Sequence, residues 1–176
     1  MDEQIICAGF GGQGIMLMGK VLAEAGMKEG YEVTWLPSYG AEVRGGTAHS
    51  MVHISRETIA SPTVSKPSTC IVMNKPSLTK FIDRTRKGGL LIVNTSMVDG
   101  IPKRNDIKII EIPLTKLASE LGNIKVANMI AVGAFVGLKK IFSLKNVLEI
   151  LEKTFSGKDL ISINKKAIES GYESVS

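Results

Sequence analysis

Four of the six residues from Gly9 to Gly14, Gly-Phe-Gly-Gly-Gln-Gly, are glycines. On one side lies the short apolar run Gln4-Ile5-Ile6-Cys7-Ala8, which reads as a buried strand of a parallel sheet. On the other side Ile15, Met18, Leu22 and Ala25 recur at helical spacing, with Lys20, Glu24 and Lys28 four apart on the polar side. A chain that passes from strand through glycine turn to helix in under thirty residues has few folds open to it. The helix is expected to end near Gly30, and Tyr31 to Leu36 to form a second strand closed by Pro37. This is the opening of an α/β fold.

Further along, Thr47 to Ser55 reads as a strand with Ala48, Ser50, Val52 and Ile54 on one face and His49, Met51 and His53 on the other. Thr69 to Met73, Leu90 to Val93 and Asp106 to Ile112 are three more apolar strands. Asn74-Lys75-Pro76-Ser77 begins a helix carrying Leu78, Phe81 and Ile82, and Pro113 suits the first turn of another. The last third is helical: Ser143 stands where it can cap a stripe of Leu144, Val147, Leu148, Leu151 and Phe155, and Glu149 stands four before Lys153. Residues Ala127 to Leu138 are apolar nearly all round and contain Gly133-x-x-x-Gly137, so that helix must be covered by its own domain or by a partner. The expectation is one domain over residues 1–176: a three-layer α/β/α fold with a mostly parallel Rossmann-like sheet, a mixed sheet being the alternative, and a helical C-terminal third.

The 176 residues are 44% hydrophobic, enough for a core without disulfides, so Cys7 and Cys70 need no framework role. No Cys-x-x-Cys spacing exists, which leaves an iron–sulfur cluster or cysteine zinc site short of ligands. The acidic start Met1-Asp2-Glu3-Gln4 is unlike a secretion signal, and the compartment expected is the cytoplasm. The apolar run Met129 to Leu138 falls short of the roughly 20 residues a membrane helix needs. A net charge of +5 without a block of like charge, and 5% aromatics, give nucleic-acid binding little support.

The glycine turn fits G-x-G-x-x-G in the context a dinucleotide site demands, with backbone N–H groups offered at a helix N-terminus. That site also requires an acid at the end of the second strand, where this chain has Trp35-Leu36-Pro37-Ser38. A tight turn, an anion site or a subunit-contact loop therefore fits better than ordinary NAD binding. Gly14-x-x-x-x-Gly19-Lys20 is a decoy for a phosphate loop: Val21 replaces the magnesium-binding hydroxyl, and the intervening residues carry the helix stripe. His49 and His53 lie about 13 Å apart on a strand, too far to share a metal, and read as partly exposed sheet residues. Ser38 has no nucleophile elbow, and Val98-Asp99-Gly100 lacks the first glycine of a thiamine diphosphate motif. The loop Ser38 to Gly46 either closes on itself through a Glu42–Arg44 pair, or docks on a partner or grips an anion through Arg44.

Taken together, Gly9 to Gly14, then Leu36-Pro37-Ser38-Tyr39-Gly40-Ala41-Glu42-Val43-Arg44-Gly45-Gly46-Thr47, then Asn128-Met129 before a small-residue helix, resemble the gamma subunit of 2-oxoacid:ferredoxin (acceptor) oxidoreductases, the 2-oxoglutarate type above all. Ala41 departs from the proline common in relatives. The resemblance implies a complex that oxidatively decarboxylates a 2-oxoacid with coenzyme A to acyl-CoA and CO2, passing electrons to ferredoxin or a similar acceptor. Thiamine diphosphate and iron–sulfur clusters would sit on other subunits: alpha and beta, with a ferredoxin-like delta. This chain would be a non-catalytic component, inactive alone, with no catalytic residue and no metal ligand. Carried over residue by residue, the implied binding positions are Gly9, Gly11, Gly12, Gln13 and Gly14 in the turn, and Ser38, Tyr39, Gly40, Glu42, Arg44, Gly45 and Gly46 in the loop. Two other readings stay open, a free-standing nucleotide-binding protein using the turn alone and a purely structural subunit. The apolar helix further leads one to expect that the isolated chain forms homo-oligomers.

Overall fold

The computed structural model describes residues 1–38 and 47–176. Tyr39, Gly40, Glu42, Arg44, Gly45 and Gly46 lie outside the described residues. In chain order the elements are β1 (Asp2–Gly9), α1 (Ile15–Lys28), β2 (Glu32–Ser38), β3 (Ala48–Ser55), β4 (Thr69–Val72), α2 (Lys75–Phe81), β5 (Leu90–Asn94) and β6 (Lys108–Ile112). Four helices follow: α3 (Leu114–Glu120), α4 (Ala127–Lys139), α5 (Leu144–Thr154) and α6 (Lys158–Glu173). Three-residue 3-10 turns extend α2 at Ile82–Arg84 and precede α4 at Ile124–Val126.

The six strands form a mixed sheet in the order β2-β3-β1-β4-β5-β6. β1, β4, β5 and β6 are parallel neighbours, whereas β3 is antiparallel to both β1 and β2. β2 therefore runs in the direction of β1 but one place further out, and β3 fills the gap between them. Pro37 does not close β2 but lies inside it, opposite Ser50. An edge strand tolerates this because an imide nitrogen turned to the open side removes no ladder bond.

Side chains alternate across the sheet as strand geometry requires. Ile5, Cys7, Val52, Ile54, Ile71 and Ile92 enter the larger core with α1, α3, α4, α5 and α6, whereas Ile6, Ala8, Cys70, Val72, Leu91 and Val93 meet Leu78, Phe81 and Ile82 on the α2 side. The layers are thus three but unequal. Two caps form as the sequence suggests: the Asn74 side chain accepts from Ser77 N–H at 3.0 Å, and Ser143 Oγ accepts from Asn146 N–H at 3.1 Å. Glu149 does not pair with Lys153; it bonds Lys28 of α1 and lies 3.9 Å from Lys145, so the charge joins two helices instead of decorating one.

α4 is covered by its own domain. Met129, Ile130, Ala131, Val132, Ala134, Phe135 and Val136 are fully buried, and α6 packs against α4 through glycines on both sides. A Cβ at Gly133 would lie 2.7 Å from the Ile168 carbonyl carbon, and one at Gly171 would lie 2.7 Å from that of Ile130. The small-residue motif serves an intramolecular helix contact, and the exposed helix face invoked above as a reason for homo-oligomers is absent. No helix among the described residues is long and apolar enough to cross a membrane.

A buried ion pair ties the start of β1 to the end of α4: Glu3, 4% exposed, meets Lys139 Nζ at 2.8 Å and accepts from the hydroxyls of Ser68 at 2.8 Å and Thr69 at 2.6 Å. Removing one partner leaves the other charge buried and uncompensated. Lys139→Met should cost about 2 kcal/mol, less than for a fully enclosed pair because the two hydroxyls still hold Glu3. A lower denaturant midpoint at unchanged m-value would register it.

Candidate functional site

β1 hands its chain to α1 on one face of the sheet, and the adjacent β4 hands its chain to α2 on the other. Between the carboxyl ends of two such strands a crevice must open, the place where open α/β sheets bind ligands. The glycine turn lies at this point. Ser38 and Thr47 are the two described ends of the 39–46 loop, and they lie at the same edge: Ser38 is opposite His49, and Ala48, next to Thr47, is opposite Gly9. The fold therefore brings the roots of both motifs singled out in the sequence to one end of the sheet.

Within the turn the glycines divide by role. A Cβ at Gly9 would strike Ile15 Cδ1 at 2.7 Å, and one at Gly14 would meet Asn128 Cγ at 3.0 Å, so these two permit close packing. Gly12 has φ +92°, a conformation L side chains avoid, and among the described residues a Cβ at Gly11 or Gly12 would meet nothing within 4 Å. Gln13 braces the loop from inside: its Oε1 accepts from Phe10 N–H at 2.9 Å and its Nε2 donates to Met73 O at 3.3 Å. Asn128 Nδ2 donates to Gly14 O at 3.2 Å while its Oδ1 takes Met129 N–H at 2.9 Å, locking α4 to the turn. Asn94 Nδ2 bridges Met73 O at 3.2 Å and Thr115 Oγ1 at 2.9 Å along the floor.

What remains open is electropositive. α1 begins at Ile15 behind the N-cap Gly14, with no side-chain cap among the described residues and no acid in its first turn. Its orphan N–H groups carry the positive end of the helix dipole. They border a groove of about 400 Å³ walled by Phe10, Gly11, Gly12, Met16, Leu17 and Ala48. On the other side of Phe10 a narrower apolar cleft of about 200 Å³ runs between Met73, Met97, Thr115 and Ile124, with Lys125 at its rim. Phe10, Met97 and Ile124 are all exposed there. An anion with an apolar arm suits this pair of grooves.

One expectation is corrected, and others gain physical detail. His49 is buried, not partly exposed; its ring lies 5.3 Å from Phe81, and its Nδ1 has no hydrogen-bond partner among the described residues. Burial first, then the nearby Lys80 and Arg84, hold its imidazole below the usual range. His53 instead bonds Asp2 at 2.5 Å. The decoy glycine of the false phosphate loop, Gly19, lies where a Cβ would be 2.9 Å from Ser50 Cβ and 2.9 Å from Trp35 Nε1, because α1 rides directly over the Trp35–Ser50 hydrogen bond. Cys7 and Cys70 point to opposite faces of the sheet and are fully buried; burial pushes both thiols up, that of Cys70 to about 12. No group of three or more His, Cys, Asp or Glu among the described residues could hold a metal ion. The bracing side chains of Asn94 and Thr115 were not singled out in the sequence, since neither stands in a motif and both act through tertiary contacts.

The model of the pyruvate ferredoxin/flavodoxin oxidoreductase family matches residues 4–174, and the chain belongs to that family. It is similar to the 2-oxoglutarate synthase subunit KorC of Methanocaldococcus jannaschii, 35% identical over 181 residues that cover 98% of this chain and 94% of KorC. It is 39% identical over 175 residues to the ketoisovalerate oxidoreductase subunit VorA of Methanothermobacter marburgensis, covering 98% of this chain but 36% of VorA. Among solved structures it superposes on the keto/oxoacid ferredoxin oxidoreductase gamma subunit of Geobacter sulfurreducens with a TM-score of 0.85 and 27% identity, over 98% of both chains. The 2-oxoglutarate:ferredoxin oxidoreductase of Magnetococcus marinus, with 2-oxoglutarate, coenzyme A and succinyl-CoA bound, gives a TM-score of 0.89 at 25% identity over 99% of this chain and 31% of that one. The chain thus spans about a third of VorA and of the Magnetococcus protein. The likeness to gamma subunits read from the motifs holds along nearly the whole chain.

Proposed function

We propose that this protein is the gamma-type component, a single domain over residues 1–176, of a multi-subunit 2-oxoacid:acceptor oxidoreductase. The reaction is oxidative decarboxylation of a 2-oxoacid with coenzyme A to acyl-CoA and CO2, the electrons leaving to ferredoxin or a similar acceptor. The 2-oxoglutarate reading is favoured by the near end-to-end match to KorC, although similar proteins also include a pyruvate/ketoisovalerate common gamma subunit from Thermococcus litoralis. Partners are thiamine-binding alpha and beta subunits and a ferredoxin-like delta subunit. Bound on those subunits, thiamine diphosphate supplies the carbanion-stabilising chemistry and the clusters carry electrons away. The buried, opposed thiols of Cys7 and Cys70 do not fit a cluster site on this chain.

The role assigned to this chain is to bind and orient, with no proton transfer or covalent step. The observation that carries it is the start of α1 behind Gly11 and Gly12, uncapped among the described residues and open on a groove at the same sheet edge as the loop ends Ser38 and Thr47. Those N–H groups, with Arg44 contributed from the loop, receive an anionic group of coenzyme A or an acidic patch of the thiamine-binding subunits. In the assembled complex Arg44→Ala should lower coenzyme A-dependent turnover by about tenfold, the scale of one charge-assisted hydrogen bond. Unchanged kinetics with an intact complex would refute this role.

A further inference from the structure

No block of like charge stands out along the chain, yet its net charge is confined to one stretch. Between residues 64 and 108 nine lysines and arginines face three aspartates, leaving +6, while the rest of the chain holds thirteen bases against fourteen acids. Folding brings part of this stretch together at the amino ends of β4, β5 and β6, the sheet edge opposite the glycine turn. Lys66, Arg84, Arg86, Lys87 and Arg104 line a groove of about 650 Å³ there, with Asp83 the one acid in its wall.

Two of these cations are fixed. Arg84 donates to Val64 O at 3.1 Å and Ser65 O at 3.2 Å with its guanidinium 5.1 Å from the Phe81 ring centre. Arg104 donates to Ile82 O at 2.6 Å and Thr85 O at 3.1 Å and pairs with Asp106. Lys66, Arg86 and Lys87 are exposed and in no ion pair among the described residues.

The chemistry of the groove narrows its partner. The backbone adds nothing to a phosphate cradle here: the N–H groups of Arg86, Gly88 and Gly89 are already given to the carbonyls of Pro67, Asp106 and Arg86. Stacking on the bases of a single strand needs exposed aromatic faces, and the ring at hand, Phe81, is buried beneath Arg84. A permanent subunit interface needs an apolar centre, and no exposed large hydrophobic residue lines the groove. A concentrated positive field on mobile stems suits electrostatic steering of a negatively charged protein surface, which raises association rates and weakens with salt.

We propose that this groove is a docking face for an acidic protein that meets the assembly transiently. Resting on the function proposed above, that partner is the protein electron acceptor, steered by this edge to the complex. The test uses the intact complex carrying Arg86→Glu and Lys87→Glu together, assayed with an acidic ferredoxin and separately with a viologen dye. The expected result is a KM for ferredoxin raised about tenfold or more, a flatter dependence of kcat/KM on ionic strength, and unchanged dye turnover. An unchanged KM and salt slope would overturn the proposal. So would dissociation of the complex, seen by size-exclusion chromatography with this pair or with Arg86→Gln/Lys87→Gln, since the face would then be a permanent interface. Failure of the wild-type complex to oxidise any 2-oxoacid with the dye would instead count against the underlying reading.

Discussion

Replacing Gly11 with aspartate should raise the KM for coenzyme A roughly tenfold to thirtyfold while leaving the protein folded. The expectation follows from the division of labour in the turn. A Cβ at Gly11 meets nothing within 4 Å among the described residues, which leaves the substitution room there. It sets a carboxylate beside the uncapped start of α1, where the orphan N–H groups would otherwise face an anionic ligand. Two negative charges ~5 Å apart at an effective dielectric of ~40 repel by ~1.7 kcal/mol, which sets the scale. Gly11→Ala is the control: it fills the same space without charge and should keep near-normal kinetics. If alanine and aspartate behave alike, the groove does not act on an anion.

Gly133→Ala should destabilise the protein by about 3 kcal/mol or more, and Gly171→Ala by a similar amount. At either site the new methyl falls on backbone, not on the end of a flexible side chain: the Ile168 carbonyl in one case, the Ile130 carbonyl in the other. Relief requires moving α4 and α6 apart, and that unpacks a helix whose centre is fully buried. For a chain of this size the loss corresponds to a fall of roughly 6–12 °C in Tm. Thermal unfolding followed by circular dichroism measures it, with Gly11→Ala as a glycine change that should leave Tm nearly unmoved. Activity lost in these variants should follow the unfolded fraction rather than the KM for coenzyme A.

These two glycine classes show how far the sequence could be read. The strand–turn–helix opening, the caps at Asn74 and Ser143 and the burial of α4 were legible because each rests on local spacing or on a run of apolar residues. The insertion of β3 between β1 and β2 was not, because strand order is decided by pairings between residues some fifty apart, such as Ile5 with Val52. That insertion also explains why the missing acid at the end of the second strand mattered less than it first did. β2 is not the neighbour of β1, and the place a ribose-binding strand end would take beside the turn is held by Ala48, the first residue of β3.

At the site, the motif glycines were visible, but their separation into packing residues, Gly9 and Gly14, and open residues, Gly11 and Gly12, depends on what lies across the turn. Gln13 was carried over as a binding position; in the structure its amide is already committed to Phe10 N–H and Met73 O, so it holds the turn's shape. Arg86 and Lys87 were invisible as a patch because the lysine and arginines they join, Lys66, Arg84 and Arg104, converge only through the stacking of β4, β5 and β6.

Under the proposed function this chain works as part of a coenzyme A-dependent 2-oxoacid oxidoreductase. The most direct test is mild affinity purification of the protein from the cells that make it, followed by an assay of 2-oxoacid-dependent viologen reduction with and without coenzyme A. Co-purifying larger subunits are expected, with a reduction that requires both a 2-oxoacid, 2-oxoglutarate foremost, and coenzyme A. A chain that purifies alone, carries a stoichiometric adenine absorbance and shows no 2-oxoacid oxidation would contradict it and point to a free-standing nucleotide-binding protein.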